Sequence, residues 1–353
     1  MSRQTLRWTR LLGLLIFTAL LGPGLPLAAP AAPTQAAQVA DRVRVGVLFV
    51  SAEATIFIGV DQGYYRELGL DLELTPSDPA LGVIPLGTGQ IDVTTGGASA
   101  SFLNAVARGV DVKLVADGAS AQPGTGGQAL MFRRELVDSG LLRTPADLRG
   151  RRVAVTARGS GGEIIIARWL QMGGLRLDDV DVVQLSFPDQ LPAFASGAID
   201  ASTLPDPFQT FALEQGLATA YGRLPDLYPG YQIGAVNYGA AFARQQADAA
   251  RRFMLAYMRG VRDYNDAFFR GDAAKRRMAI DSLVRHTPIK DPALYERMLM
   301  IGVRPDGRLN LTSMAEDQEY YLANGWTQSR VDLNALIDYS FLDAALQVLG
   351  PYE

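Results

Sequence analysis

The chain contains no cysteine and a single histidine, His286, in 353 residues. Without cysteine there is no disulfide framework, no thiolate nucleophile and no sulfur-ligated metal. Nor is there a cysteine to carry a lipid anchor. His286 sits beside Thr287-Pro288, far in sequence from every loop considered below, so the usual general base and zinc ligand is all but missing. No Gly-x-Ser-x-Gly elbow, P-loop or His-based zinc motif occurs, and no acidic loop of calcium-binding type. Gly159-Ser160-Gly161-Gly162 lacks the spacing and the following acidic residue of a dinucleotide fingerprint. No catalytic residue, metal or cofactor is expected. The charge balance, 33 Lys and Arg against 37 Asp and Glu, has no basic excess to meet nucleic acid or anionic lipid.

One apolar run does stand out, at the N-terminus. Arg3, Arg7 and Arg10 precede Leu11 to Leu21, which Gly22, Pro23, Gly24 and Pro26 break before a stretch of small residues, Ala28 to Ala40. That order is a secretory signal peptide, and the run is shorter than the roughly 20 residues of a membrane-spanning helix. Residues 1–37 are therefore expected to be a signal peptide cleaved near Ala36 or Ala37. The mature chain is then periplasmic and soluble.

From Val43 onward, strand and helix patterns alternate. Val43 to Phe49, Leu70 to Leu74, Ile91 to Thr94 and Asp111 to Ala116 read as strands, with helices at Ile56 to Leu68 and Ala100 to Arg108 between them. This spacing implies an α/β fold with a largely parallel sheet. A Gly-, Ser- and Gln-rich break at Ser120 to Gly127 precedes a second series: strands at Ala129 to Phe132, Arg151 to Thr156, Val180 to Leu185 and Ala201 to Leu204. The last third reads as helices, led by Ala240 to Phe269 with Phe253, Tyr257, Val261 and Tyr264 on one face. The expected layout is residues 42–120 as the first part of lobe I, 121–232 as lobe II, and 233–353 as the return to lobe I with C-terminal helices. Two lobes joined by a two-strand hinge can close on a ligand. No internal repeat stands out.

Binding proteins of this kind place contacts on loops at the carboxyl ends of strands. Four loops qualify: Val50 to Thr55, containing Ser51, Glu53 and Thr55; Gly96 to Ser101, with Gly97 and Ser99; Arg158 to Glu163, with Ser160 and Gly161; and Leu204 to Pro207, with Asp206. In the second and third, glycines expose backbone N–H groups and a serine opens a helix whose dipole favours an anion. Ser99 and Ser160 serve equally as N-caps, worth about 1 kcal/mol each to their helices. Arg158 suits a sulfonate, phosphate or carboxylate, and Glu163 a ligand N–H. Phe57, Phe187, Phe208 and Tyr231 stand beside loop ends, where an aromatic face can stack on a planar ring.

Four segments carry a family resemblance, in order. They are Gly63-Tyr64-Tyr65-Arg66-Glu67-Leu68-Gly69-Leu70-Asp71-Leu72-Glu73-Leu74; Leu86 to Gly109; Thr144-Pro145-Ala146-Asp147-Leu148-Arg149-Gly150-Arg151-Arg152-Val153-Ala154-Val155; and Ser196-Gly197-Ala198-Ile199-Asp200-Ala201 followed by Asp206-Pro207-Phe208. Together they resemble the periplasmic binding proteins of the nitrate, sulfonate, taurine and thiamine-pyrimidine group. The resemblance implies a type 2 periplasmic-binding-protein fold, a monomer, and an ABC importer whose permease and ATPase subunits are its partners. It also implies ligand contacts near Ser51 to Thr55, Ser99, Ser160 and Asp206. Nitrate, alkyl or aromatic sulfonates, pyrimidine vitamin precursors and riboflavin all stay open as cargo. Some relatives are pyrimidine-forming enzymes that use a histidine and a cysteine-rich motif, which this chain lacks. A ligand-sensing domain is the other alternative.

Overall fold

Two mixed β-sheets of five strands each carry the chain, and helices cover them. The computed structural model describes residues 40–77 and 79–352; the signal-peptide expectation for residues 1–37 lies outside the described residues. The first sheet contains β1 (Asp41–Val47), β2 (Leu70–Pro76), β3 (Val93–Gly96), β4 (Val112–Ser120) and, arriving last, β10 (Gln232–Gly239). The second contains β5 (Ala129–Arg133), β6 (Arg152–Val155), β7 (Asp181–Gln184), β8 (Ala201–Leu204) and β9 (Ala218–Arg223). The chain crosses between sheets twice, through residues 121–128 and 224–231.

The strand orders are β2-β1-β3-β10-β4 and β7-β6-β8-β5-β9. β1 runs parallel to β2, from Asp41↔Leu70, and to β3 at Val45↔Val93, whereas β10 is antiparallel to β3 and β4. The expectation of a largely parallel sheet holds for four of the five strands in each sheet, since β4 runs with β1 to β3 and β9 with β6 to β8. The exception is the strand that arrives from the other sheet. A strand that crosses over from the other sheet is not bound to the right-handed βαβ connection that enforces parallel pairing. β5 repeats this in the second sheet, antiparallel to β8 and β9.

The two sheets are one design used twice, which the sequence did not disclose. In the first, Arg44 donates through its backbone N, Nε and Nη2 to Asp92 at 2.8, 2.9 and 2.6 Å. In the second, Arg152 makes the same three bonds to Asp200 at 3.0, 3.2 and 3.0 Å. Both pairs are 48 residues apart and tie a sheet's central parallel strand to the approach of the next. Bidentate guanidinium–carboxylate pairing of this kind fixes geometry as well as adding energy.

The helical third packs on the first sheet. Phe253, Tyr257, Val261 and Tyr264 of the helix Ala247–Phe269 are all at most 1% exposed. The expected single helix from Ala240 breaks at Gln246. Likewise the expected helix Ile56 to Leu68 divides into Ala54–Asp61 and Tyr64–Glu67, because Gly63 takes a left-handed φ of 75°. No described helix is long and apolar enough to cross a membrane.

Candidate functional site

The carboxyl ends of strands from both sheets converge on one cavity of about 120 Å³. A cavity of about 150 Å³ accommodates benzene, so this one suits a small organic molecule. An open groove of about 780 Å³ lined by Arg304, Leu346 and Tyr352 collects none of the candidate loops. We therefore take the smaller space as the candidate site.

Its first wall is the turn after β1. Phe49 has a φ of 57°, an uncommon conformation for a residue with a side chain. The Glu53 carboxylate holds that turn, accepting the N–H groups of Leu48 and Val50 and the Thr95 hydroxyl, each at 2.9 Å. Burial pushes the Glu53 carboxyl up from its usual range, and the Leu48 and Val50 N–H groups oppose that rise. Four hydrogen-bond sites on a carboxylate leave Glu53 little capacity for a ligand, although it lines the cavity. Its task is to shape the loop.

Two helix N-termini, one from each sheet, face the same space. Ser99 caps Ala100–Ala107 by accepting the N–H of Phe102 at 3.3 Å, and Ser160 caps Gly161–Met172 by accepting that of Glu163 at 3.3 Å. Each hydroxyl accepts one bond and retains its own proton to donate. Capping and cavity contact thus coexist in both serines, which line the cavity with Gly97 and Gly161. At Gly97 a Cβ would lie 2.7 Å from the Ile233 carbonyl oxygen, so only glycine allows β10 to pass this close.

The rest of the wall is mostly apolar: Leu48, Val50, Ile165, Phe187, Ile233 and Ile301. Tyr231 also lines it, and so does Gln128, whose Oε1 is buried without a protein partner. No arginine or lysine is among the residues lining the cavity. Gln128, Thr95, Thr156 and Ile301 had no signal in the sequence; each depends on how the two crossings and the C-terminal segment fold back.

Five expected contacts fall outside the cavity lining. Ser51 and Asp206 face each other across the sheets: the Ser51 N–H and hydroxyl donate to the Asp206 carbonyl oxygen at 3.1 and 2.6 Å. The Asp206 carboxyl turns away to accept the Thr210 N–H at 3.0 Å and its hydroxyl at 2.6 Å, and burial pushes it up to about 6. Thr55 is 1% exposed within the helix Ala54–Asp61. Arg158 is exposed and forms an ion pair with Glu163 at 2.8 Å, outside the cavity lining. Of the aromatics, Phe57 is core, stacked on His286 at 4.8 Å, and Phe208 stacks behind Phe187 at 6.1 Å.

A second contact joins the two sheets at the helix ends. The Ser101 N–H and hydroxyl donate to the carbonyl oxygens of Gly159 and Arg158, both at 3.2 Å. With Ser51–Asp206, this is a second hydrogen-bonded contact between the two sheets.

Comparison with known proteins places this geometry in context. A curated protein of Escherichia coli (strain K12) named for aliphatic sulfonate binding is 36% identical over 75 residues, 21% of this chain and 23% of its own. The chain matches about a quarter to a half of the length of its curated relatives. The alkanesulfonate-binding protein SsuA from Xanthomonas axonopodis pv. citri, bound to MOPS, superposes with a TM-score of 0.69 at 20% identity, covering 86% of this chain and 99% of its own. The periplasmic nitrate-binding protein NrtA from Synechocystis PCC 6803 does so with 0.71 at 15% identity, covering 88% and 89%. The desulfurization enzyme DSZB shares the fold too, with a TM-score of 0.63 at 18% identity and coverage of 88% and 100%. At such identities the likeness is one of fold, here that of two-lobed periplasmic binding proteins. The profile of one family, described as NMT1/THI5 like, matches residues 51–266, more than half of the chain, and the chain belongs to that family.

Proposed function

We propose that the protein is the extracytoplasmic substrate-binding component of an ABC importer. It captures a small oxyanion with an apolar body, of the sulfonate class, by closing its two lobes. The observation that carries this reading is the pair of serine-capped helix N-termini, from opposite sheets, that face one cavity. Helix N-termini concentrate unpaired N–H donors and partial positive charge, so they hold an anionic head without a basic side chain. Ile165, Phe187, Ile233 and Ile301 offer apolar surface to the remainder of the ligand. The sulfonate binding named for several relatives favours this class over a bare inorganic ion. Residues 42–120 and 233–353 form one lobe and 121–232 the other, the two crossings acting as hinge. Permease and ATPase subunits are the partners.

A binding role is favoured over catalysis because no histidine or cysteine lines the cavity. The fold shared with the desulfurization enzyme DSZB makes a desulfurization activity the competing reading. Isothermal titration with methanesulfonate, butanesulfonate, benzenesulfonate and nitrate tests the proposal. Saturable binding of a sulfonate without turnover is expected. Absence of binding to every sulfonate sinks the cargo class, and consumption of an arylsulfinate would move the protein to the enzymes.

A further inference from the structure

Behind the cavity, on the side of the second crossing, one arginine is held in a site of its own. Arg168 projects from the helix Gly161–Met172, which packs on the second sheet. Its Nη2 lies 2.6 Å from Oδ1 of Asp317, and the side chains are only 15% and 8% exposed. Asp317 belongs to the helix Leu311–Ala323, which is fastened to the start of β10. There the Asn310 N–H donates to Gln232 Oε1 at 2.7 Å, and the Gln232 N–H to the Ser313 hydroxyl at 3.0 Å. The Arg168 guanidinium also lies over two rings, Tyr228 at 5.3 Å and Tyr320 at 5.4 Å. Tyr228 comes from the second crossing and Tyr320 from the helix Leu311–Ala323. One lobe thus supplies the cation, while the crossing and the other lobe supply its cage.

The cage touches the cavity wall. Burial, together with the Asp317 carboxylate, pushes the Tyr231 hydroxyl well above its ordinary range, so it stays protonated. Tyr231 lines the cavity, whereas neither Arg168 nor Asp317 does. Burial pushes the Asp317 carboxyl up, and Tyr231 and Arg168 oppose that rise. Arg168 gains Asp317 and the two rings only where the helix Gly161–Met172 meets the helix Leu311–Ala323. Asp317 and Tyr231, by contrast, lie on the same side, the helix Leu311–Ala323 being fastened to β10.

We infer that Arg168 and Asp317 form a cross-lobe lock, a pair of positioning residues that holds the cleft closed and sets Tyr231 against the ligand without touching it. This rests on the reading of the protein as a lobe-closing binder, but not on which cargo it takes. Cation–π contacts on two half-buried rings and a buried ion pair both vanish when the lobes part, so the lock acts on the closed state alone. By population arithmetic, a tenfold loss in the closing equilibrium becomes about a tenfold loss in apparent affinity once the closed form is the minor one.

The test exploits the absence of native cysteine. Asp71→Cys on β2 and Asp178→Cys near β7 give one dye position per lobe, and single-molecule energy transfer then reads closure in the full mature chain. Measurements are made in buffer and with saturating benzenesulfonate as the probe. Arg168→Ala and Asp317→Asn should each lower the closed fraction, the double variant should lower it no further than the worse single, and Arg168→Lys should fall between wild type and Arg168→Ala. Asp317→Asn, nearly isosteric, keeps the test open should Arg168→Ala fail to fold. Equal closed fractions in wild type and both folded single variants, in both conditions, overturn the lock. If benzenesulfonate has no effect on any protein, the cargo reading fails, and the buffer measurement still decides the lock.

Discussion

Filling the cavity from within is the sharpest test of where ligand binds. Gly161 opens the helix Gly161–Met172 and lines the cavity, and a Cβ built on it meets no atom within 4 Å. Its φ is not positive, so a larger residue fits the backbone without strain. Gly161→Leu adds four carbons to a space of about 120 Å³, already smaller than the roughly 150 Å³ cavity that holds benzene. Replacing glycine in a helix should leave folding unchanged or gain up to about 1 kcal/mol. The variant is therefore expected to melt at or slightly above the wild-type temperature while its affinity for benzenesulfonate falls by roughly a hundredfold, equivalent to about 2.7 kcal/mol. Gly161→Ala, with one methyl, should lose much less. Calorimetric titration beside a thermal melt reads both quantities. Wild-type affinity in a folded Gly161→Leu protein would refute the placement of the ligand in this cavity.

Other outcomes follow from the same geometry. Asp206, pushed up to about 6 by burial from an ordinary 3.8, stabilises the fold fully below that ordinary value and loses its contribution as pH rises through 6. Denaturant titrations should show wild type losing up to about 3 kcal/mol from this group between pH 4 and 7, and Asp206→Asn should flatten that slope; an unchanged slope assigns the pH dependence elsewhere. Ser99→Ala and Ser160→Ala should each cost about 1 kcal/mol of stability as lost caps, and each should also weaken sulfonate binding. A stability loss with full affinity in both would reduce these serines to capping. At Gly260 a Cβ would sit 2.2 Å from the Thr55 carbonyl oxygen, so Gly260→Ala should destabilise by about 1–3 kcal/mol, read as a lowered denaturation midpoint. A neutral result would mean the helix Ala247–Phe269 is not held this tightly on Ala54–Asp61.

Much of this architecture was legible in the chain because it is written in local periodicity. Alternating apolar residues in β1 and the Phe253, Tyr257, Val261, Tyr264 row of the long helix report burial directly, since their spacing is that of the element itself. The serine-glycine loops were legible for the same reason, as N-caps are local chemistry. Gln128 and Ile301 had no such signature. They meet in the cavity only because the first crossing and the C-terminal third fold back on it. Arg158 pairs with Glu163 five residues on, a placement that its glycine-rich loop does not distinguish in sequence from one facing a ligand.

The sequence alone determined the alternation of strands and helices, the two series of them, and the lack of thiol and imidazole chemistry, all properties of near neighbours or of composition. Tertiary structure decided which strands turn antiparallel, the matched Arg44–Asp92 and Arg152–Asp200 ties, and the meeting of Ser51 with Asp206 and of Arg168 with Asp317. Those last two contacts join residues about 150 apart in the chain. Their partners are chosen by the closing of loops and the packing of sheets, which no local pattern of residues encodes.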